Sequence, residues 1–134
     1  MKKRDELELC IQYFELALEI DDTNPELLKN LGTVYGWVHA HDKEIAFYQR
    51  SLEINPDLLE ALCAMGYVQY AYFNEPVEAL SYYKRALRQH DQLLRFPAIF
   101  YWVAKCYIEL NDWQNAFESI EKGLRYNPTS KKLI

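Results

Sequence analysis

Apolar residues recur along this chain at spacings of three and four, which marks amphipathic helices rather than strands. Leu7, Cys10, Ile11, Phe14, Leu18 and Ile20 set one such stripe and predict a helix over 3–21. Asn24 is a good N-cap and Pro25 suits a first helical position, so a second helix is expected from 25 to 38. His39-Ala40-His41-Asp42 reads as a turn, with Asp42 the expected cap of a helix over 43–54 that Asn55-Pro56 closes. Further helices are expected over 58–72, 76–92, 97–110 and 113–126. Their boundaries are Asn74-Glu75-Pro76, Phe96-Pro97, Asn111-Asp112 and Asn127-Pro128. The pattern gives about seven helices with short connections and no strand, an all-α chain.

The stretch from Pro25 to Leu58 is a ruler for the remainder. Leu28, Leu31, Gly32 and Tyr35 share one helical face, followed by Phe47, Tyr48, Ser51 and Leu52 and a closing Pro56. From Leu59 the pattern returns as Leu62, Met65 and Gly66, then Ala79, Tyr83 and Ala86. From Pro97 it returns again as Phe100, Val103, Ala104 and Tyr107, then Ala116, Ile120, Gly123 and Pro128. Cys10, Phe14, Ala17 and Ile20 match the second half of such a unit. This pattern resembles the tetratricopeptide (TPR) family, whose repeat is about 34 residues of helix–turn–helix. The resemblance implies an α-solenoid of antiparallel helix pairs: a half repeat over 1–24, units over 25–58, 59–96 and 97–130, and a tail over 131–134. Some positions depart from the family pattern. Glu44 stands where a small residue normally lets the paired helices approach, Gln69 replaces a usual Tyr, and Asp22 and Asp91 stand where Pro56 and Pro128 stand elsewhere. One extra residue lies between Gly66 and Ala79. About three more precede Pro97, close to one helical turn, so the helix ending near Gln92 is expected to be longer.

Composition narrows the classes of function. A 50% hydrophobic content with 15% aromatics suits packed helices rather than a disordered segment. The net charge of −5, with only short basic runs at Lys2-Lys3-Arg4 and Lys131-Lys132, speaks against nucleic acid as a partner. The charged start lacks the apolar core of a secretory signal, and no stretch is long and apolar enough for membrane insertion. Three widely spaced cysteines, Cys10, Cys63 and Cys106, suit reduced thiols in a cytoplasmic protein, with Cys63 the plausible exposed one. Neither end of the array carries an obvious cap. The chain is expected to be a fragment of a longer array or else a homo-oligomer through its ends, the fragment being preferred.

The TPR resemblance also implies a site. In that family the first helix of each unit lines a concave groove, which maps here onto Lys29, Thr33 and Trp37, then Cys63, Tyr67 and Tyr70, then Tyr101 and Lys105. Aromatic bodies with polar tips suit an extended peptide, burying apolar side chains while offering hydroxyls. The family's carboxylate clamp is rejected. Its positions hold Lys29, Thr33, Ala64, Ala98 and Trp102, and only Lys29 matches. His39, His41 and Asp42 lie in a turn and lack a fourth convergent ligand, so no metal is expected; His90 is isolated near a helix end. No phosphate loop, nucleophile elbow or Ser/His/Asp arrangement occurs, so neither cofactor nor catalytic residue is expected. The expected function is non-enzymatic binding of a peptide or partner segment. The alternatives are a small secretion-type chaperone and a self-assembling segment of a larger scaffold.

Overall fold

The computed structural model describes residues 3–89 and 96–126. Among the described residues there are seven helices and no strand: α1 (Lys3–Ile20), α2 (Pro25–Trp37), α3 (His41–Ile54), α4 (Leu59–Ala71), α5 (Pro76–Leu87), α6 (Ala98–Glu109) and α7 (Trp113–Tyr126). Lys2, His90, Asp91, Gln92, Asn127-Pro128 and the 131–134 tail lie outside the described residues. The chain divides into two compact units, Met1–Met65 and Gly66–Ile134, with the division inside α4.

In the first unit α1 packs on α2 and α2 on α3. Asn24 caps α2 through its side-chain oxygen, which accepts from the amides of Glu26 and Leu27, and Pro25 opens the helix. Leu28, Leu31, Gly32, Val34 and Tyr35 are the buried face of α2. Gly32 lets α3 come close: a Cβ there would stand 2.8 Å from the Tyr48 ring and 3.1 Å from the Glu44 carbonyl oxygen. Ser51 closes the other end of the pair by donating its hydroxyl to the Pro25 carbonyl, 2.6 Å away.

In the second unit α5 packs on α6 and α6 on α7. Gly66 repeats the role of Gly32, since a Cβ there would lie 2.6 Å from the Tyr83 ring. Ile99, Phe100, Val103, Ala104 and Cys106 are the buried face of α6, and Phe100 stacks on Tyr126 with ring centroids 5.2 Å apart.

One expected cap and one expected length are corrected. Asp42 does not cap α3. The helix starts earlier, at His41, because the Ala40 carbonyl already accepts from the Glu44 amide at 3.0 Å. Asp42 therefore sits inside the first turn, where its charge still favours the helix dipole. At the boundary Asn74-Glu75-Pro76, Glu75 holds the N-cap position ahead of Pro76, and Asn74 takes a left-handed φ of 53°. The longer helix expected to end near Gln92 is shorter: α5 ends at Leu87, with Arg88 as its C-cap. The extra residue between Gly66 and Ala79 is taken up by the turn over 72–75, one residue longer than 38–40 and 110–112, so the packing faces on either side keep their phase. His39 and Asn111 hold left-handed φ values of 62° and 59° in the other two turns.

Candidate functional site

The sequence-derived groove residues fall into both units. Lys29, Thr33, Trp37 and Cys63 belong to the first; Tyr67, Tyr70, Tyr101 and Lys105 belong to the second. In the first unit they do not form one cluster with a shared chemistry. The Thr33 hydroxyl donates to the Lys29 carbonyl at 3.1 Å and lies 3.0 Å from the Tyr48 hydroxyl, so it is engaged in helix pairing. Lys29 is half-buried, and Trp37 is exposed at the end of α2. Cys63 is half-buried, and that burial, with Glu60 nearby, pushes its thiol up to about 12. Cys63 is therefore not the exposed thiol, a correction to the expectation; Cys10 is. A thiol held so far above neutral pH is a poor nucleophile.

In the second unit the expected residues converge. Tyr67 sits edge-on to Trp102 with centroids 4.9 Å apart, and Tyr101 meets the same indole edge-on at 4.9 Å. Tyr70 tilts against Trp102 at 6.0 Å, and Tyr72 meets Tyr67 at 6.1 Å. The Lys105 ammonium lies 5.4 Å from the Tyr101 ring centre, 5.9 Å from Trp102 and 6.0 Å from Tyr70, within cation–π range of all three. Its pKa is raised, first by a hydrogen bond with Tyr101 and then by the charge interactions with Tyr70 and Tyr101, so the cation is well held. Tyr70 donates to Glu109 at 3.4 Å; burial leads in raising its pKa, so the phenol keeps its proton.

Trp102 is the hub of this cluster and is absent from the sequence-derived groove. Its signal was there. Trp102, Lys105 and Glu109 stand three and four residues apart, hence on one face of α6, and Tyr101 is one turn from Lys105. The surface so formed is half-open: Tyr67 is 37% exposed, and Tyr70, Tyr101, Trp102 and Lys105 are half-buried.

The polar residues of the first unit serve packing. The buried Glu44 carboxylate accepts from the Tyr48 hydroxyl at 3.0 Å and lies 2.8 Å from His41 Nδ1. Gly36 leaves the space it occupies, for a Cβ there would overlap the carboxylate. His41 is thus committed to a hydrogen bond within its own helix. Tyr35 donates to Glu15 at 2.7 Å, and burial together with that carboxylate raises its pKa to about 12.

Residues 97–130 match the family model described as tetratricopeptide repeat. The structure resembles the crystal structure of MamA, with a TM-score of 0.82 and 19% identity over 93% of this chain and 71% of that one. It also resembles a tetratricopeptide repeat protein from Parabacteroides merdae, with a TM-score of 0.86 and 20% identity over 97% of this chain and 50% of that one. The chain has the tetratricopeptide-repeat fold, and its residues 97–130 match the repeat itself. A third TPR relative in fold is PilW, described as a widely conserved type IV pilus biogenesis factor; the TM-score is 0.85 and the identity 18%, over 98% of this chain and 59% of that one. The TPR chain thus spans between half and about seven-tenths of the length of these proteins. No curated protein matches its sequence. A TPR fold is in general a protein–protein interaction scaffold rather than a catalytic one. Among the described residues of this TPR chain, no helix is long and apolar enough to cross a membrane.

Proposed function

We propose that this chain binds an extended segment of another protein on the surface made by Tyr67, Tyr70, Tyr101, Trp102 and Lys105. The observation that carries the reading is one ammonium held within 6.0 Å of three aromatic rings on a half-open surface. Rigid rings supply contact area at low entropic cost, and the indole at their centre is the type of residue that dominates binding energy at interfaces. Lys105 and Glu109 add one charge of each sign, 4 residues apart on the same helix, and so give the segment a direction. The segment that suits this surface presents an apolar or aromatic side chain to the rings and a carboxylate to Lys105.

The test is selection of peptides from a random display library on the purified chain, followed by titration of the best binder against the Tyr67→Ala/Tyr101→Ala double variant. The expected result is loss of measurable binding with the helical circular dichroism intact. Retained affinity in a folded double variant, or recovery of no peptide by a folded chain, overturns the reading.

A further inference from the structure

Helix α1 is apolar on two opposite sides. Leu7, Ile11, Phe14 and Leu18 recur at steps of four, three and four residues and are half-buried, and α2 is the helix on which α1 packs. Leu9, Tyr13, Leu16 and Ile20 recur at the same steps two residues further on, which turns them roughly 200° away. They are 38%, 64%, 55% and 89% exposed, and no residue of α1 is buried. A helix that is apolar on both sides belongs between two partners.

The matching helix of the next repeat, α3, tells what covers this outer stripe there. Thirty-four residues on, α3 carries Lys43, Phe47, Arg50 and Ile54 at the matching positions. There the rings are covered by the chain's own cations: Lys43 lies 5.3 Å from the centre of Tyr35, which stacks on Phe47, and Arg50 lies 5.2 Å from the centre of Phe47. Tyr82 and Arg85 of α5 make the same kind of pair at 5.8 Å. In α1 both cation positions are leucine, Leu9 and Leu16. The surroundings are acidic: from Asp5 to Asp22 stand Asp5, Glu6, Glu8, Glu15, Glu19, Asp21 and Asp22, without one Lys or Arg. Arg4, just before this stretch, pairs with Glu8.

We propose that the outer stripe of α1, Leu9, Tyr13, Leu16 and Ile20, docks a cationic amphipathic helix of another protein. The occupant is a helix because the ridge is about 17 Å of straight helix, the length of three turns. It is cationic because α1 lacks the arginine that covers the corresponding ring in α3 and the lysine that lies over the neighbouring Tyr35 ring, and because its carboxylates would meet the partner's rim.

The experiment titrates a dye-labelled designed peptide of roughly 18 residues, leucine and lysine only, with leucines at helical spacing. Its scrambled twin has the same composition and no apolar face. The second protein is the chain carrying Leu9→Lys and Leu16→Arg, which installs on α1 the residues α3 already carries at exposed positions. The amphipathic peptide is expected to bind one to one and about ten-fold more tightly than its twin, to lose about ten-fold in affinity against the double variant, and to weaken with salt. Equal binding of the two peptides, or undiminished binding by the folded variant, overturns the proposal. So does sedimentation showing that the stripe is occupied by a second copy of the chain, in an association that the variant abolishes. The Tyr67→Ala/Tyr101→Ala chain must bind the peptide as the unaltered chain does. Loss there would mean the peptide uses the aromatic surface, which keeps failure of this proposal distinct from failure of the proposed function.

Discussion

The α2–α3 pair and the α6–α7 pair distribute volume alike at one pair of matching positions and oppositely at the other. In α2–α3 the first helix supplies glycine, Gly32 and Gly36, and the second supplies bulk, Tyr48 and Glu44. Seventy-two residues on, the matching positions are Ala104 and Ile108 on α6, with Ile120 and Ala116 on α7. Gly36 leaves the room that the Glu44 carboxylate fills, and at the matching positions the first helix holds the large residue, Ile108, and the second the small one, Ala116. The lesson is that a repeat position is constrained as one of a pair: what must be small is the sum across the two helices. The choice has an electrostatic side as well. A buried carboxylate is tolerable because Tyr48 and His41 satisfy it, whereas the Ala116 side chain brings no polar atom to bury.

The largest expected effect tests that pairing. Gly36→Ala drives a methyl into the Glu44 carboxylate and disturbs its two hydrogen bonds, so the chain should lose about 2–4 kcal/mol of stability. Adding Glu44→Ala, which copies the small residue of α7, should recover most of the loss and give a coupling of at least about 1 kcal/mol in a urea-denaturation cycle. Simple additivity of the two changes would end the volume-exchange account. Next in size, Gly66→Ala should cost about 1–3 kcal/mol, the Tyr83 ring atoms at 2.6–2.8 Å outweighing the helix propensity gained. The reverse change in the other pair, Ala104→Gly, should cost about 1 kcal/mol through propensity alone. If both proved equal, close approach at Gly66 would not be what the glycine is for.

The smallest effect is alkaline. Tyr35 keeps its proton up to about 12 in the folded chain, above its ordinary 10.0. Its contribution to stability is full below pH 10.0 and is lost as pH rises towards 12, since the folded state resists forming the phenolate beside Glu15. Melting curves between those limits should fall, and Tyr35→Phe should flatten part of that fall. An unchanged slope would remove Tyr35 as its source.

Helix positions were legible in the sequence because the apolar spacing of each stripe and the prolines at 25, 76 and 97 are local signals, and the observed helix starts lie within two residues of those expected. What was not legible depends on contacts between helices. Glu44 reads as an anomaly until Gly36 is seen beneath it, and Asp42 reads as a cap until the Ala40 carbonyl is found already bonded to the Glu44 amide. Trp102 escapes the sequence pattern because the family positions select one line along α6, while the indole reaches sideways to Tyr67 and Tyr70 on α4. The family resemblance points to Tyr67, Tyr70 and Tyr101; ring geometry alone reveals the indole between them.

The lengthened turn over 72–75 has a practical consequence. Its four residues are all exposed, two of them are Tyr72 and Phe73, and Asn74 holds a left-handed kink that interrupts helical hydrogen bonding. A chymotrypsin-like protease needs an accessible aromatic residue in non-helical backbone, and this joint offers one in the native chain. Cleavage there would leave α4 and α5 intact on either side of the nick, so the joint is a natural place to nick the chain or to splice in a reporter without disturbing helix phase.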